Sequence, residues 1–427
     1  MPMPAGSKQW RDALRDVQAV LDSEALTLLI GAGASLSSGA PTTDEVFRAI
    51  NARYPARLSD REALRLRSHT ITNSEKLNAI APLFQKIVPF VGYRCLAVIA
   101  KSKRVYVLNL NWDSAVEDAC AILGVSCVSA SAEDWRAEYG QLLKRLPPGK
   151  GVFCLHLHGW IREKSAIKIG VLETNAFPKK LINFIKKTAV PHPFIAIGTT
   201  IAGDLDIVSL LRVGIHSGSD LDRMPAWLFA RPGFDAFGGS AAVEHLASRT
   251  STNNVVQDHD VDFDELMLTL AAASTSRHYA PLRDKARLMV GDLDVLAWPK
   301  GQTFSSALDA PITIIAGDPY LGKTSTAHLL AYVAHVVTGS EVAHAEGQAC
   351  TQLLASTSGG CSPMTLILED PFGQGASDRR DDTAFLDLLE QVKINGTRAI
   401  VTTRRSAWDA GTRGREVAGA IVLPADL

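Results

Sequence analysis

A glycine-rich segment near the N-terminus has the composition of a loop that binds phosphate groups. The apolar run 26–30 leads directly into residues 31–35, Gly-Ala-Gly-Ala-Ser. Glycines at such a strand-to-helix turn let the backbone approach a pyrophosphate, which the N–H groups of a following helix can bind. Leu36 occupies the position of the third glycine in the full dinucleotide-binding pattern. The segment therefore predicts a nucleotide-binding turn, with a purely structural tight turn as the alternative.

Three polar residues follow other apolar runs and have side chains that could orient a ligand or act as a base. Asn111 and Asp113 come just after one such run, and His158 follows another. Polar groups that bind ligands collect at the carboxyl ends of parallel strands, and a histidine can act as a general base near neutral pH. His156 would point to the same face of its strand as His158, so it is an alternative base. Alternatively, either histidine has only a structural role, as a hydrogen-bonded residue of the core.

A second phosphate-binding pattern lies in the C-terminal third of the chain. Residues 317–324 fit G-x-x-x-x-G-K-[ST] without a mismatch, after an apolar run and before a helical pattern. Backbone N–H groups of such a loop cradle phosphates, while Lys323 would reach the β and γ oxygens and Thr324 would hold Mg²⁺. The pattern in this setting predicts a nucleotide-binding P-loop.

Acidic and basic residues downstream complete the predicted P-loop site. Glu369 and Asp370 end an apolar run, where one carboxylate would contact Mg²⁺ and the other would polarise water. The sequence leaves open which acid has which role, and a solvated acidic turn is the alternative. Arg404 ends the next apolar run and could contact a γ-phosphate, unless Arg404 and Arg405 are simply a surface pair.

The elements that would position these residues alternate along the chain as in an α/β fold with parallel sheets. Strands are predicted at residues 26–30, 104–108, 152–157, 194–197, 227–229, 312–315, 365–368, 399–402 and 420–423. We divide the chain into a Rossmann-like domain (1–275), a connecting segment (276–310) and a P-loop core (311–427).

Composition excludes several classes of protein. The 44 basic residues nearly balance the 45 acidic ones, so there is no signal for direct nucleic-acid binding. No apolar run reaches the roughly 18–20 residues that span a bilayer, and no signal peptide is recognisable, so we expect a cytoplasmic protein. The six cysteines include no C-x-x-C pair, so we expect neither a disulfide framework nor a zinc site.

Four motifs in order resemble the sirtuin superfamily. Residues 31–41 are similar to G-A-G-x-S…S-G-x-P, residues 107–113 to a T-x-N-x-D segment, residues 157–159 to L-H-G, and residues 197–200 with Asp204 to a G-[ST]-S loop. The resemblance implies that Asn111 orients the ribose or a water and that His158 is the general base. The implied NAD⁺-binding residues are Gly31, Ala32, Gly33, Ser35, Asp113, Gly198, Thr199 and Thr200.

Departures from the deacylating sirtuins narrow the expected activity. Residues 42–44 are Thr-Thr-Asp instead of D-F-R, Leu110 replaces a glutamine, and the four-cysteine zinc module is missing. The chain therefore looks like the sirtuin-like NAD hydrolases of bacterial immune systems. In these, water replaces the acyl acceptor and the products are nicotinamide and ADP-ribose.

Residues 317–404 resemble the core of a STAND-type P-loop NTPase. The implied ATP site comprises Gly317, Gly322, Lys323, Thr324, Ser325, Glu369, Asp370 and Arg404, with Mg²⁺ held by Thr324 and one of the two acids. The lid, winged helix and sensor of that family are not found in this sequence. We therefore expect either an incomplete core or a short member that relies on a separate sensor.

Together, the two resemblances imply an NAD⁺ glycohydrolase that is controlled by an ATP-binding module. Its expected role is antiphage defence, in which the infected cell is depleted of NAD⁺ (abortive infection). We expect the protein to be a homo-oligomer that is activated by a phage-derived trigger or by a separate sensor protein. The alternatives are a non-catalytic NAD-binding sensor, an ATPase with an N-terminal scaffold and an NAD-dependent protein deacylase.

Overall fold

The chain consists of two compact units, Met1–Ser274 and Thr275–Leu427. A computed structural model describes residues 10–54, 68–132, 139–163, 167–169, 177, 179–189, 191–199, 226–230, 255–259, 261–275, 302–318, 322–357, 364–373, 382–392, 396–412, 417 and 420–424.

The first unit is built on a parallel sheet of six strands and a short edge strand. The order across the sheet is β3-β4-β2-β1-β5-β6-β7. Its central strands are buried on both faces, as expected for a parallel sheet covered by helices. The strands are β1 (Ala25–Ile30), β2 (Arg104–Asn109), β3 (Cys127–Ser131), β4 (Gly151–His156), β5 (Phe194–Ile197), β6 (Ala226–Ala230) and β7 (Val255–Gln257).

Helices cover this sheet, and one of them is buried along its whole length. The described α-helices are α1 (Trp10–Asp16), α2 (Thr43–Arg53), α3 (Asn73–Ile80), α4 (Val91–Ala100), α5 (Ala115–Ile122), α6 (Tyr139–Leu143), α7 (Lys179–Thr188) and α8 (Phe263–Ser274). Every residue of α4 is buried, and α4 packs against α8. Gly92 permits this approach, because a Cβ there would lie 2.5 Å from the ring of Phe263.

The topology of the first sheet brings four strand ends together. The chain places β2, β3 and β4 on one side of β1, and then β5, β6 and β7 on the other. Ile30 pairs with both Asn109 and Ile197, and Asn109 pairs with His156. The segments that follow β4, β2, β1 and β5 therefore leave one sheet edge side by side. Ligands of open α/β sheets bind at such a reversal of strand order.

The second unit contains a five-stranded parallel sheet in the order β12-β8-β11-β10-β9. The strands are β8 (Ile312–Ala316), β9 (Glu341–Glu346), β10 (Met364–Glu369), β11 (Arg398–Thr403) and β12 (Ala420–Pro424). The described helices are α9 (Gln302–Asp309), α10 (Lys323–Thr338), α11 (Ala349–Thr357), α12 (Asp382–Gln391) and α13 (Arg405–Thr412). Strand β11 separates the strand before the P-loop from the strand that ends in the acidic pair.

The predicted α/β class is confirmed, since both sheets are parallel and lie among helices. All nine predicted strands are present within a residue or two of their expected bounds, whereas β3, β7 and β9 were not predicted. Helix α9 lies within the segment that the sequence assigned to the connection. Helix α1 ends at Asp16 and the chain continues as a 3-10 helix, Val17–Asp22. No helix among the described residues is long and apolar enough to cross a membrane.

Candidate functional site

The glycine turn after β1 differs from the predicted strand-to-helix turn. Residues Ala32–Ala34 form a single 3-10 turn, and the first α-helix after β1 begins at Thr43. The N-terminus of that helix is capped by its own Thr42 and Glu45, which form a reciprocal capping box. The expectation that a helix N-terminus follows the glycines directly is therefore wrong.

The glycines of this turn are required by contact between two loops. Gly33 N donates to Gly198 O at 2.8 Å, and Gly31 N donates to Ile197 O at 3.1 Å. A Cβ at Gly31 would lie 2.5 Å from Gly198 O, and one at Gly33 would lie 2.9 Å from Gly198 Cα. Gly198 itself has a φ of +72°, which favours glycine. The segments after β1 and β5 are thus interlocked, and this packing alone accounts for the three glycines.

Replacing Gly31 with alanine is expected to lower the free energy of unfolding by about 1–3 kcal/mol, the cost of overpacking a tight contact. Urea unfolding followed by tryptophan fluorescence measures this change. Gly140→Ala is the matched control, because Gly140 lies in α6 with open space around its Cβ position. Helix propensity makes that control neutral or slightly stabilising. Equal stability of both variants would contradict the interlocked arrangement.

Asn111 is buried against the glycine turn. Its Nδ2 donates to the Gly31 carbonyl at 3.1 Å and to Ser35 Oγ at 2.9 Å, and it lies 3.3 Å from the Tyr93 hydroxyl. Ser35 and Tyr93 are hydrogen-bonded to each other at 2.5 Å. Because the Gly31 carbonyl can only accept, it fixes which side of the amide is the donor. The Asn111 backbone is held in turn by Asn109, whose Oδ1 accepts from Asn111 N at 2.9 Å.

Asp113 is a buried carboxylate on the same segment. Its Oδ1 accepts from Ala115 N at 2.9 Å, so it satisfies the first backbone amide of α5. Its Oδ2 is buried and accepts no hydrogen bond from the residues that the structure describes. Burial raises the pKa of Asp113 above its ordinary value, although the Ala115 amide, Ser35 and His156 oppose that shift. Asp113 therefore supports the loop and leaves one oxygen unsatisfied.

His158 lies beside the Asn111 segment. Asn111 and His158 each come two residues after the paired residues Asn109 and His156, which end neighbouring strands. Trp112 Nε1 donates to the His158 carbonyl at 3.1 Å, which ties the two segments together. His158 is 8% exposed. The structure therefore brings the segments of both predicted catalytic residues to one sheet edge.

The remaining predicted residues of this site are placed as follows. Ala32 is exposed within the 3-10 turn, and Thr199 is half-buried next to Gly198. The Thr199 Cβ would lie 2.6 Å from a Cβ at Gly31, so it too packs on the glycine turn. Thr200 and Asp204 lie outside the described residues.

His156 is a buried histidine with bonds at both ring nitrogens. Its Nδ1 lies 3.2 Å from the Asn111 carbonyl, and its Nε2 lies 2.9 Å from Glu117 Oε1. Burial alone would lower the pKa of His156, but the Glu117 carboxylate raises it above the ordinary value. For Glu117 the effects have the opposite sign: burial would raise its pKa, but His156 holds that pKa below the ordinary value. His156 is thus one half of a buried ion pair that supports the Asn111 backbone.

Glu117→Gln is expected to destabilise the protein by about 3 kcal/mol, because it leaves the buried His156 without its charge partner. The raised pKa of His156 contributes stability that is present below the ordinary value of 6.5 and is lost as pH rises through the folded-state pKa. The lowered pKa of Glu117 contributes stability above the ordinary value of 4.5, lost as pH falls through its folded-state pKa. The difference from wild type should therefore be largest between these two values.

Urea unfolding across this pH range measures the effect, with Asp118→Asn as the control. Asp118 pairs with Arg162 at 2.6 Å, but both side chains are substantially exposed. Exposed pairs contribute about 0–1 kcal/mol, so this control should change little. A loss at Glu117 no greater than that at Asp118, or independent of pH, would contradict the ion pair.

A cavity of about 370 Å³ lies beside the same ion pair, between α5 and β3. Its lining includes Glu117, Cys127, Ser129, Arg145, Trp160 and Glu163. No residue of the glycine turn or of the Gly198 segment lines it. The lining of the cavity thus differs from the predicted nucleotide-binding residues, and Glu117 with His156 connects it to the backbone of Asn111.

The second unit places the P-loop residues around the end of β8. Gly322 has a φ of +74° and precedes α10, which begins at Lys323. Lys323 Nζ donates to the carbonyls of Gly317 at 3.1 Å and Asp318 at 2.7 Å, so the ammonium lies over the loop. Ser325 is half-buried in the first turn of α10. Residues 319–321 lie outside the described residues.

The acidic pair lies opposite the P-loop and the two acids differ in environment. Glu369 Oε2 accepts from Thr324 Oγ1 at 3.3 Å. Asp370 has a φ of +44°, and its Oδ1 is buried without a hydrogen bond from the described residues. Burial raises the pKa of Asp370, while the charges of Lys323 and Arg404 oppose that shift. Glu369 is thus the acid that bonds the Thr324 hydroxyl, whereas the charge of Asp370 is favoured by Lys323 and Arg404.

Strand β11 joins the two halves of this site. Thr402 O accepts from Asp370 N at 2.8 Å, and Thr403 O accepts from Gly317 N at 3.3 Å. Arg404 is the next residue and immediately precedes α13, which begins at Arg405. All three predicted segments of the ATP site therefore meet at the carboxyl ends of β8, β10 and β11.

Two sets of residues that contact the candidate sites were not predicted from the sequence. Tyr93 lies against Asn111 but belongs to an apolar helix with no motif around it. His328 and His344 approach Glu369 at 3.5 and 3.2 Å, from α10 and β9. The spacing from Thr324 to His328 is one helical turn, which is the only sequence signal for that histidine.

Neither a protein-family model nor a curated protein sequence matches this chain.

Proposed function

We propose that the first unit hydrolyses NAD⁺ to nicotinamide and ADP-ribose. The observation that carries this proposal is the meeting of four segments at one sheet edge, where the strand order reverses. They bring the glycine turn, the Asn111 amide, the His158 segment and the Gly198–Thr199 segment side by side. This is the combination of a dinucleotide-binding edge, a fixed hydrogen-bonding group and a base that the reaction requires.

The proposed chemistry follows glycoside hydrolysis, with a positively charged ribose in the transition state. The bond between ribose C1′ and the nicotinamide nitrogen breaks, and its electron pair leaves with nicotinamide. A water oxygen bonds to C1′, and His158 accepts the proton that this water loses. The donor side of the Asn111 amide faces the Gly31 carbonyl and Ser35. Its Oδ1 is therefore the atom that accepts a hydrogen bond from a ribose hydroxyl or the attacking water.

The same contacts favour one rival, a non-catalytic NAD-binding sensor. The Asn111 amide is bonded within the protein, and the three glycines are explained by packing. A site that only binds NAD⁺ would need no more than this. A catalytic requirement for both Asn111 and His158 separates the two functions.

We propose that the second unit binds ATP and controls the first. Lys323 would contact the β- and γ-phosphates, while Thr324 and Glu369 would hold Mg²⁺ near the phosphate oxygens. Their 3.3 Å contact supports this assignment, which leaves Asp370 to polarise water and Arg404 to contact the γ-phosphate. In this proposal the protein is a cytoplasmic, homo-oligomeric antiphage effector, and a phage-derived trigger or a sensor protein releases its activity.

The test is the release of nicotinamide and ADP-ribose from NAD⁺ by the purified chain, with and without ATP and Mg²⁺. Release of both products in equal amounts supports hydrolysis, and a change on adding ATP supports control by the second unit. Calorimetric binding of NAD⁺ without turnover, in monomeric and chemically cross-linked protein alike, would favour the sensor. Release of acetylated ADP-ribose only when acetyl-lysine peptide is added would favour the deacylase.

A further inference from the structure

Two histidines and a glutamate form a compact cluster beside the predicted ATP site. His328 lies on α10, His344 on β9 and Glu369 at the end of β10. One ligand atom from each residue lies within 4.8 Å of the other two. Glu369 and His344 are brought together by the parallel pairing of β9 with β10. His328 reaches them from α10, one turn after Thr324.

We propose that His328, His344 and Glu369 bind a transition-metal ion of the Zn²⁺ class. Two imidazoles and one carboxylate are a ligand set that Zn²⁺ uses in proteins, with a water in the fourth position. Bonds of about 2.0–2.2 Å in a tetrahedron place neighbouring ligand atoms about 3.3–3.6 Å apart. Glu369 Oε1 lies 3.5 Å from His328 Nε2 and 3.2 Å from His344 Nε2. Both distances to the carboxylate are therefore already near the spacing that such an ion imposes, and the ligand atoms of the two histidines lie within 4.8 Å of each other.

The hydrogen bonding of the cluster supports an ion at its centre. His328 is 1% exposed, and neither of its ring nitrogens has a hydrogen-bond partner among the described residues. Glu369 Oε1 is also buried without a hydrogen bond of good geometry, although both histidines approach it within ion-pair distance. A buried polar group left unpaired costs about 1–3 kcal/mol, so leaving these atoms unsatisfied is expensive. One metal ion would satisfy His328 Nε2 and Glu369 Oε1 together.

The cluster can be reached from solvent, and its ligand atoms favour a transition-metal ion. The His344 side chain is 33% exposed, which gives an ion a route from solvent. Imidazole nitrogens suit Zn²⁺, Co²⁺ and Ni²⁺, whereas Mg²⁺ prefers oxygen ligands. The absence of cysteine pairs predicts no zinc site, but this cluster uses no cysteine. Its residues come from three elements, so their sequence spacing carries no metal-binding signature.

The site would share Glu369 with the proposed Mg²⁺ site without depending on it. Glu369 Oε1 faces the two histidines, whereas Oε2 accepts from Thr324. A bound transition metal would therefore fix the orientation of the carboxylate that lies next to the P-loop hydroxyl. Binding of the metal itself requires neither nucleotide nor NAD⁺.

The test is titration of the untagged, metal-free full chain with Co²⁺, in the absence of nucleotide and NAD⁺. Tetrahedral Co²⁺ absorbs visible light far more strongly than hydrated Co²⁺, and Zn²⁺ should displace it. We expect His344→Ala, which changes a partly exposed residue, to weaken Co²⁺ binding by about 100-fold or more, and Glu369→Gln to do the same. His259→Ala is the control for unspecific histidine binding, because His259 is exposed and belongs to the first unit.

Several results would overturn the assignment. One is the absence of a tetrahedral spectrum in the wild-type protein. Another is a spectrum that His344→Ala and Glu369→Gln leave unchanged. A sulfur-to-cobalt charge-transfer band removed by Glu117→Gln would instead assign the ion to the buried group of Glu117, Cys154 and His156. Because ATP and NAD⁺ are absent from the titration, none of these results bears on the proposed function.

Discussion

Replacing either Asn111 or His158 with alanine should reduce NAD⁺ cleavage by at least about 100-fold, the lower range for the loss of a positioned acid or base. His158→Ala removes the group that accepts the proton of the attacking water. Asn111→Ala removes the amide that the Gly31 carbonyl and Ser35 orient. The measurement is nicotinamide release as a function of NAD⁺ concentration, which separates kcat from KM.

A catalytic role and a structural role predict different kinetics for these variants. Loss of an interaction made in the transition state lowers kcat while NAD⁺ still binds. A merely structural role would lower the free energy of unfolding, and with it the amount of active protein. Urea unfolding of each variant and calorimetric NAD⁺ binding therefore accompany the assay. His259→Ala, an exposed histidine, should retain full activity. Activity in both alanine variants close to that of the control would rule out the proposed site.

Lys323→Ala should weaken ATP binding by about 100-fold, since hydrogen bonds to charged groups contribute about 1.5–3 kcal/mol each. The ammonium lies over the loop, bonded to the carbonyls of Gly317 and Asp318. It would exchange these two contacts for phosphate oxygens when ATP binds. Calorimetry with ATP and Mg²⁺ measures the change.

Two further variants make the ATP result specific. Lys144→Ala removes an exposed lysine of the first unit and should leave ATP affinity unchanged. Lys323→Arg keeps the charge but replaces a compact ammonium with a planar fork, so we expect it to rescue little of the affinity. Unchanged ATP binding in Lys323→Ala would mean that the loop does not hold phosphates in the proposed way.

Sequence patterns predicted the buried strands well, because a strand covered on both faces is a continuous apolar run. The edge strand β9 gives no such signal. Its residues Glu341, His344 and Glu346 are exposed, and they interrupt the apolar pattern. No strand was therefore predicted around His344, and its cluster with His328 and Glu369 could not be predicted from the sequence.

The candidate NAD⁺ site shows a second limit of sequence patterns. A glycine at position 31 is equally compatible with the close approach of a phosphate and with the close approach of another loop. The loop that contacts it follows β5, far along the chain, so only the pairing of β1 with β5 reveals the contact. Tyr93 was missed for a similar reason, since helix α4 reaches Asn111 only through the tertiary fold.

The two carbonyls at the end of β11 have a consequence for movement in the second unit. Thr402 holds the amide of Asp370, and Thr403 holds the amide of Gly317. The acidic pair and the start of the P-loop are thus hydrogen-bonded to consecutive peptide groups of β11. A shift of this end of β11 would therefore move a hydrogen-bond partner of each segment at the same time. Arg404 follows these two carbonyls directly, so a contact that displaced it would act on the strand end to which both segments are bonded.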